Sequence, residues 1–492
     1  MAGSESLTAI ERQVAEWRNR MAARAAQRAR AATGFVSMPE PRSIGMHGRG
    51  RQLAHGHFQM AGQLVEAPGV VLWDLGIGDP EFWAEAHGFH WLDDLAASTE
   101  PAAQVRAREW TWGWIARFGD GSGPGWTPGL TGRRLVRWIN HALMLLNGRG
   151  GEDAAFFAAL SAQVRFLSRR WQAAPQGLPR FEALAGLICA GLSLTGMEGE
   201  TAPALAALAA ECAREIDAQG GIATRNPEEL LEVFTLLTWV SQALTESGQP
   251  VPEPVGAAVK RIAPCLRTLR HADGGLARFH GGDKGLEGRL DHALAAAAIR
   301  APAGPGPAMG FLRLHAGRTT LVVDAADPPA GAAGARAHAS TLAFELTSGR
   351  RPLIVSCGPG ASFGPVWRKA GRATVSHSTL SLDGYSSSRF GKGLDGAFVE
   401  RAHVVVARPI SYVEGHGLYL AHDGWTRTHG LTHGRLLTLS HDGRRLNGQD
   451  TLGPTTAEER ATFAAALARR KGEPLRLSIR FHLHPEVDAS LD

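Results

Sequence analysis

"HASTLAFELTSGRRPLIVSCG", residues 338–358, is the stretch that decides the fold. Leu342, Phe344 and Leu346 alternate with Ala343, Glu345 and Thr347, and Gly349 divides this run from "RPLIVSCG". Alternating runs joined at a glycine predict paired antiparallel strands. The same period continues outward, in "FLRLHAGRTTLVVDA" before it and in "STLSLDG", "FVERAHVVVARPISYVEG", "GRLLTLSHDGRRL" and "LRLSIRFHLHP" after it. Residues 311–492 therefore predict an antiparallel β-sandwich. The chain stops directly after the last run, so the sandwich is expected to be truncated at its C-terminus.

Upstream the period changes. "RRLVRWINHALMLLNG", "FFAALSAQVRFLSRRW", "FEALAGLICAGLSL", "APALAALAAECAREIDAQ" and "PEELLEVFTLLTWVSQAL" are alanine- and leucine-rich and apolar around much of their circumference. Helices of that kind must be covered on several sides, which predicts stacked pairs or a toroid over residues 41–299. "RAPAGPGPAMG", residues 300–310, reads as a linker. Residues 1–40 form a basic N-terminal arm. Within it, over 5–32, Leu7, Ile10, Val14, Trp17 and Met21 recur at helical spacing, and Arg12, Arg18, Arg20, Arg24, Arg28 and Arg30 take the other face. Such a helix suits peripheral contact with a membrane or packing on another subunit.

Composition narrows the partners. The 492 residues carry 52 Lys+Arg against 47 Asp+Glu, a net charge of +5, which mildly favours anionic ligands. Cys189, Cys212, Cys265 and Cys357 are too widely spaced for a zinc finger or a disulfide framework. There is no phosphate loop, because "GDGSGPG" at 119–125 lacks the lysine, and no G-x-S-x-G elbow. Nucleic acid is not expected as a partner. The N-terminus lacks an apolar signal core, so a cytoplasmic location is expected.

The chain resembles the heparinase II/III-like polysaccharide lyases. The likeness rests on "HASTLAFELTSGRRPLIVSCG", "SHSTLSLDG", "LRHADGGLARF", "HDGWTRTHGLTHGRLLTL" and "RFHLHP". It implies an α/α toroid (an incomplete barrel) followed by a β-sandwich, and β-elimination on a uronate-containing acidic polysaccharide. That reaction needs a group to neutralise the uronate carboxylate, a base for the C5 proton and an acid for the leaving oxygen. The family works mostly outside the cytoplasm, so the resemblance also admits the periplasm or cell envelope.

Matched position by position, the resemblance implies an altered site. Arg336 in "RAHAS" stands at the family's catalytic histidine, and Leu178 and Pro179 stand at its Asn-His pair. Glu229 in "TRNPEELLE" stands at its tyrosine. All three tyrosines, Tyr385, Tyr412 and Tyr419, follow the linker, so the helical region has none to supply. Arg336, Tyr385 and Glu229 are the candidate catalytic groups, although Glu229 is equally explained as a first-turn carboxylate behind an Asn226 cap. Arg180, Arg225 and Arg336 are the candidate substrate-binding groups, since guanidinium forks match carboxylate and sulfate. His338 and His377 match metal-type histidines, and with Cys357 they are expected to hold a structural zinc. Three functions stay open: an altered lyase, a non-catalytic binder of acidic glycan, and an assembly protein docking through its N-terminal helix.

Overall fold

The alternation around residue 344 is realised as pairing. In the computed structural model, Phe311–Ala316, Thr319–Asp324, Phe344–Ser348 and Arg351–Ile354 form one antiparallel sheet in that order. Val404–Tyr412, Gly415–Trp425, Leu431–Ser440 and Leu446–Gly453 form a second, also antiparallel. The structure describes all residues except 1, 29, 37–40, 148–152, 301, 305, 383, 392–395 and 491–492, and does not describe the side chains of 2–10, 12, 153 and 362. The chain divides into two compact units, residues 1–215 with 232–259 and residues 216–231 with 260–492.

In the second unit, period two sends alternate side chains to opposite faces. Leu314, Leu321, Val323, Phe344 and Leu346 of the first sheet join Leu418, Leu420, Leu437 and Leu439 of the second in one buried cluster. Each such side chain contributes roughly 1.5–3 kcal/mol on burial. The opposite face of the first sheet carries Thr320, Asp324, Glu345 and Thr347, and these are buried too. Segments of the same unit cover them, as when Arg313 donates to the carbonyls of Thr268 and Arg270 at 3.0 and 2.6 Å. A polar face under cover must find partners, and those partners make the site described below. The strand Gly415–Trp425 was not among the expected ones. Gly415 and Gly417 interrupt its pattern, because a Cβ there would lie 2.1 and 2.7 Å from the carbonyls of Leu439 and Leu437.

The first unit is helical. Pro128–Asn140 and Leu178–Ser193 cross at glycines, since a Cβ on Gly186 would lie 2.6 Å from Gly132 Cα. Near the crossing, buried Glu182 accepts from Arg133 Nε at 2.6 Å. His141 is a satisfied core residue: its Nε2 lies 2.9 Å from Asp93 Oδ1, and Arg137 also bonds that carboxylate. Arg134 is buried under Trp114, 4.0 Å from the ring centre, where dipoles and π faces replace a counter-ion.

The N-terminal helix spans Ala2–Ala26. Asn19, Ala23 and Ala26 are buried, and the helix packs on Asp153–Arg170, whose Arg170 Nε donates to Asn19 Oδ1 at 2.9 Å. At about 100° per residue, Val14, Trp17 and Met21 fall on the opposite side, where they are 41%, 57% and 49% exposed. Arg18, Arg20, Arg24 and Arg28 are exposed as well. The apolar stripe read in the sequence is thus the outward face, and the face that packs is built of alanine and asparagine. Leu7, Ile10 and Arg12 lie outside the described side chains. Among the described residues no helix is long and apolar enough to cross a membrane.

Candidate functional site

The site grows from Asp324, an acid closing the apolar run "TLVVD" on the face away from the inter-sheet core. It is fully buried and accepts from Arg225 Nη2 at 2.5 Å and Ser340 Oγ at 2.6 Å. Burial pushes its carboxyl up, but Arg225, His280 and Ser340 outweigh that and hold it well below the usual carboxylate range. Arg225 itself sits at φ +52°, a left-handed backbone that costs a non-glycine residue energy. Its guanidinium spends all five donors inside the unit: Nε on Met309 O, Nη1 on Ala326 O and Asp327 O, Nη2 on Gly310 O and Asp324. The arginine expected to bind substrate is therefore engaged as a clamp on the 309–327 hairpin.

Asn226 follows, and its Oδ1 accepts from the amides of Glu228 and Glu229 at 3.0 and 3.2 Å. This is the cap expected for the helix Pro227–Glu246. Glu229 occupies its first turn and is half-buried.

Three imidazoles gather beside Asp324. The ring centres of His338 and His377 are 5.1 Å apart, and His280 lies 6.3 Å from His338. The amide of His338 donates to His280 Nδ1 at 3.2 Å, so His280 carries its proton on Nε2, 3.5 Å from Asp324 Oδ2. His377 Nδ1 meets Ser356 Oγ at 3.2 Å, and Phe279 stacks on its ring. All three are 0–1% exposed. Burial, first of all, disfavours their charged forms: His377 is pushed down to about 3, and His280 and His338 are lowered too. A base with so low a pKa is poorly matched to proton abstraction near neutrality.

The sequence brought His338 and His377 into view but missed His280 and Asp324. The signals were "LARFH" and "VVDA", a histidine and an acid each ending an apolar run. A second polar knot lies nearby: Glu345 accepts from His271 Nε2 at 3.0 Å and from the amides of Ser356 and Arg278.

For zinc, two donors stand ready and the third is elsewhere. His338 Nδ1 and His377 Nε2 are buried without a hydrogen-bond partner, as ligand nitrogens would be. Cys357, however, places Sγ 3.5 Å from His482 Nδ1, while His482 Nε2 bonds Val375 O at 2.9 Å. Among the described residues no group of three or more His, Cys, Asp or Glu is arranged to hold a metal ion. The expected set of His338, His377 and Cys357 thus does not fit the ion as placed.

The remaining candidates stand at the surface or in the other unit. Arg336 is exposed at the end of a 3-10 turn, Gly331–Arg336. Tyr385 is 47% exposed with its ring edge-on to His429, centres 4.7 Å apart. Arg180, in the helical unit, donates to Glu211 Oε1 and to the carbonyls of Gln172 and Ala174.

Comparison with known proteins bears on this arrangement. The sequence profile of the heparinase II/III-like C-terminal domain matches residues 298–492. A curated relative, FtsZ-localized protein C of Caulobacter vibrioides (strain NA1000 / CB15N), is 33% identical over 458 residues, covering 89% of this chain and 77% of its own. The crystal structure of a heparinase III is similar with a TM-score of 0.63 at 12% identity, covering 88% of this chain and 75% of that one. A second heparinase III is similar at 0.52 and 12%, covering 85% and 73%. The toroid-plus-sandwich class expected from the sequence is the class this likeness supports.

Proposed function

The chain belongs to the heparinase II/III-like family, and on that premise we propose that it is a non-catalytic member, a docking component of an assembly. The observation that carries this reading is the outward row Val14, Trp17 and Met21 on a helix whose other face is already packed. An exposed tryptophan among exposed arginines suits an anionic surface, where the ring sits at the boundary and the guanidiniums meet the charge. The chemistry of the second unit supports the same reading. The residues at the matched catalytic positions are Leu178 and Pro179 of the first unit and Glu229 and Arg336 of the second, and the clustered histidines of the second unit are buried and hard to protonate. A relative named for its localisation to FtsZ supports an assembly role, and we extend that association to this chain as part of the proposal.

The test is co-sedimentation with vesicles containing anionic phospholipid, at low and moderate salt. Wild type is expected to bind and Trp17→Glu to lose at least about tenfold in partitioning, since both apolar area and charge complementarity are spent. Equal partitioning of the two would remove the helix from the reading.

Lyase activity is the second reading, favoured by the exposure of Tyr385 and its contact with His429. In that reading Arg336 neutralises the uronate of an acidic polysaccharide and Tyr385 moves the proton. A uronate panel followed by ultraviolet absorbance decides it. The docking reading expects no unsaturated product, whereas product formation abolished by Tyr385→Phe would establish the lyase.

A further inference from the structure

We infer that the two adjoining hairpin turns of the first sheet, Gly317–Arg318 and Gly349–Arg350, form an oxyanion-binding groove for a sulfate or phosphate ester on a sugar-sized ligand. The groove is separate from the histidine cluster. It opens at the Thr319 end of the Thr319–Asp324 strand, and Asp324 closes the other end, about 16 Å away at the usual rise per residue.

The turns are built alike. Ala316 pairs with Thr319 and Ser348 with Arg351, so each loop has two residues, glycine first and arginine second. Gly317 and Gly349 take φ +55° and +57°, the left-handed position that a two-residue hairpin of this order requires. Because Thr319 pairs with Ser348, the turns lie side by side, and the amide of Gly349 donates to Arg318 O at 2.7 Å. A Cβ on Gly349 would lie 2.7 Å from Arg318 Nη2, so the guanidinium rests directly on the bare glycine backbone.

The result is a groove of about 530 Å³ lined by Arg313, His315, Arg318, Ser348, Arg350 and Arg351 among others, with no carboxylate in its wall. That volume is within the range of small-molecule sites. Arg318, Arg350 and Arg351 are exposed, and among the described residues none of them, nor Arg313, forms a salt bridge. Arg313 is fixed from beneath by Thr268 O and Arg270 O. Of the acids on the adjoining rims, Asp442 is occupied by Ser440 Oγ and the amide of Arg444 and Asp291 by Arg270, while Asp273, Glu287 and Glu486 line the neighbouring cavity on the Arg350 side.

Like charges held together without a counter-ion repel, and an anion relieves this. Planar forks bind tetrahedral oxyanions through paired N–H donors. No Phe, Tyr or Trp lines the groove, so the large stacking platforms that hold single-stranded nucleic acid are missing.

The experiment is calorimetric titration with inorganic phosphate, inorganic sulfate, glucose 6-phosphate and glucosamine 6-sulfate in low-chloride buffer. Binding is expected for at least one of them, weakened at least tenfold in Arg318→Ala/Arg350→Ala. A control that removes equal charge from exposed positions of the same unit, Arg460→Ala/Arg476→Ala, is expected to bind within twofold of wild type. Thermal melts of both double variants establish that they fold. Preference for one sugar ester over its inorganic anion identifies the source of the group. No binding of any probe, or an equal loss in the control, would overturn the assignment.

Discussion

Asp324→Ala is expected to destabilise the sheet-bearing unit by about 3–5 kcal/mol, the usual cost of removing one partner of a buried ion pair. Alanine leaves the Arg225 charge buried on neutral carbonyls, Ser340 Oγ loses its acceptor, and His280 Nε2 loses the carboxylate 3.5 Å away. Asp324→Asn keeps the shape and one acceptor, so it should cost less. Arg225→Leu/Asp324→Leu removes both charges together, and its cost should fall short of the sum of the single changes, because the residues share one network. Urea unfolding of wild type, Asp324→Ala, Asp324→Asn, Arg225→Leu, Asp324→Leu and the double variant measures this. A loss below about 1 kcal/mol for Asp324→Ala would mean that the pair carries little, as surface pairs do.

Acidification is the second large effect. His87 and His377 are each pushed down to about 3, chiefly by burial, whereas an imidazole in the unfolded chain binds its proton near 6.5. Below 6.5 the unfolded chain takes up protons that the folded chain refuses, so stability falls as pH falls, down to about 3. Each histidine should remove about 1.4 kcal/mol per pH unit in that window, or about 2 kcal/mol by pH 5. The paired carboxylates act later. Asp450, held down to about 2 mainly by His433 and Arg435 against its burial, contributes stability that stays intact above about pH 4 and is lost as pH drops towards 2. The thermal midpoint should therefore fall between pH 7.5 and 5, above the window in which Asp450 titrates. His377→Phe, which keeps a ring but removes the proton site, should flatten that dependence. An unchanged slope would show that His377 titrates normally.

Much of the fold was legible because periodicity reports which side chains share a face. The alternation in 338–358 and its neighbours located the sheets, and the helical runs located helices, although residues 216–231 and 260–299 group with the sheets. A glycine-interrupted strand, Gly415–Trp425, escaped for want of side chains to count. The cap at Asn226 was legible too, since it involves only residues two and three positions away. The candidate site was legible in part. His338 and His377 could be named, but His280 joins them from 58 positions upstream of His338, and Asp324 meets Arg225 across 99.

By itself, then, the sequence determined the class of fold and the absence of any tyrosine before residue 385. The tertiary structure decided what each remaining group does. It spent Arg225 on a hairpin, turned Trp17 outward and Cys357 towards His482, and set Arg318 beside Arg350. The physical reason is that a period fixes the direction of a side chain relative to its own element. What lies in that direction depends on chain segments far away, and burial and hydrogen-bond partners belong to the encounter.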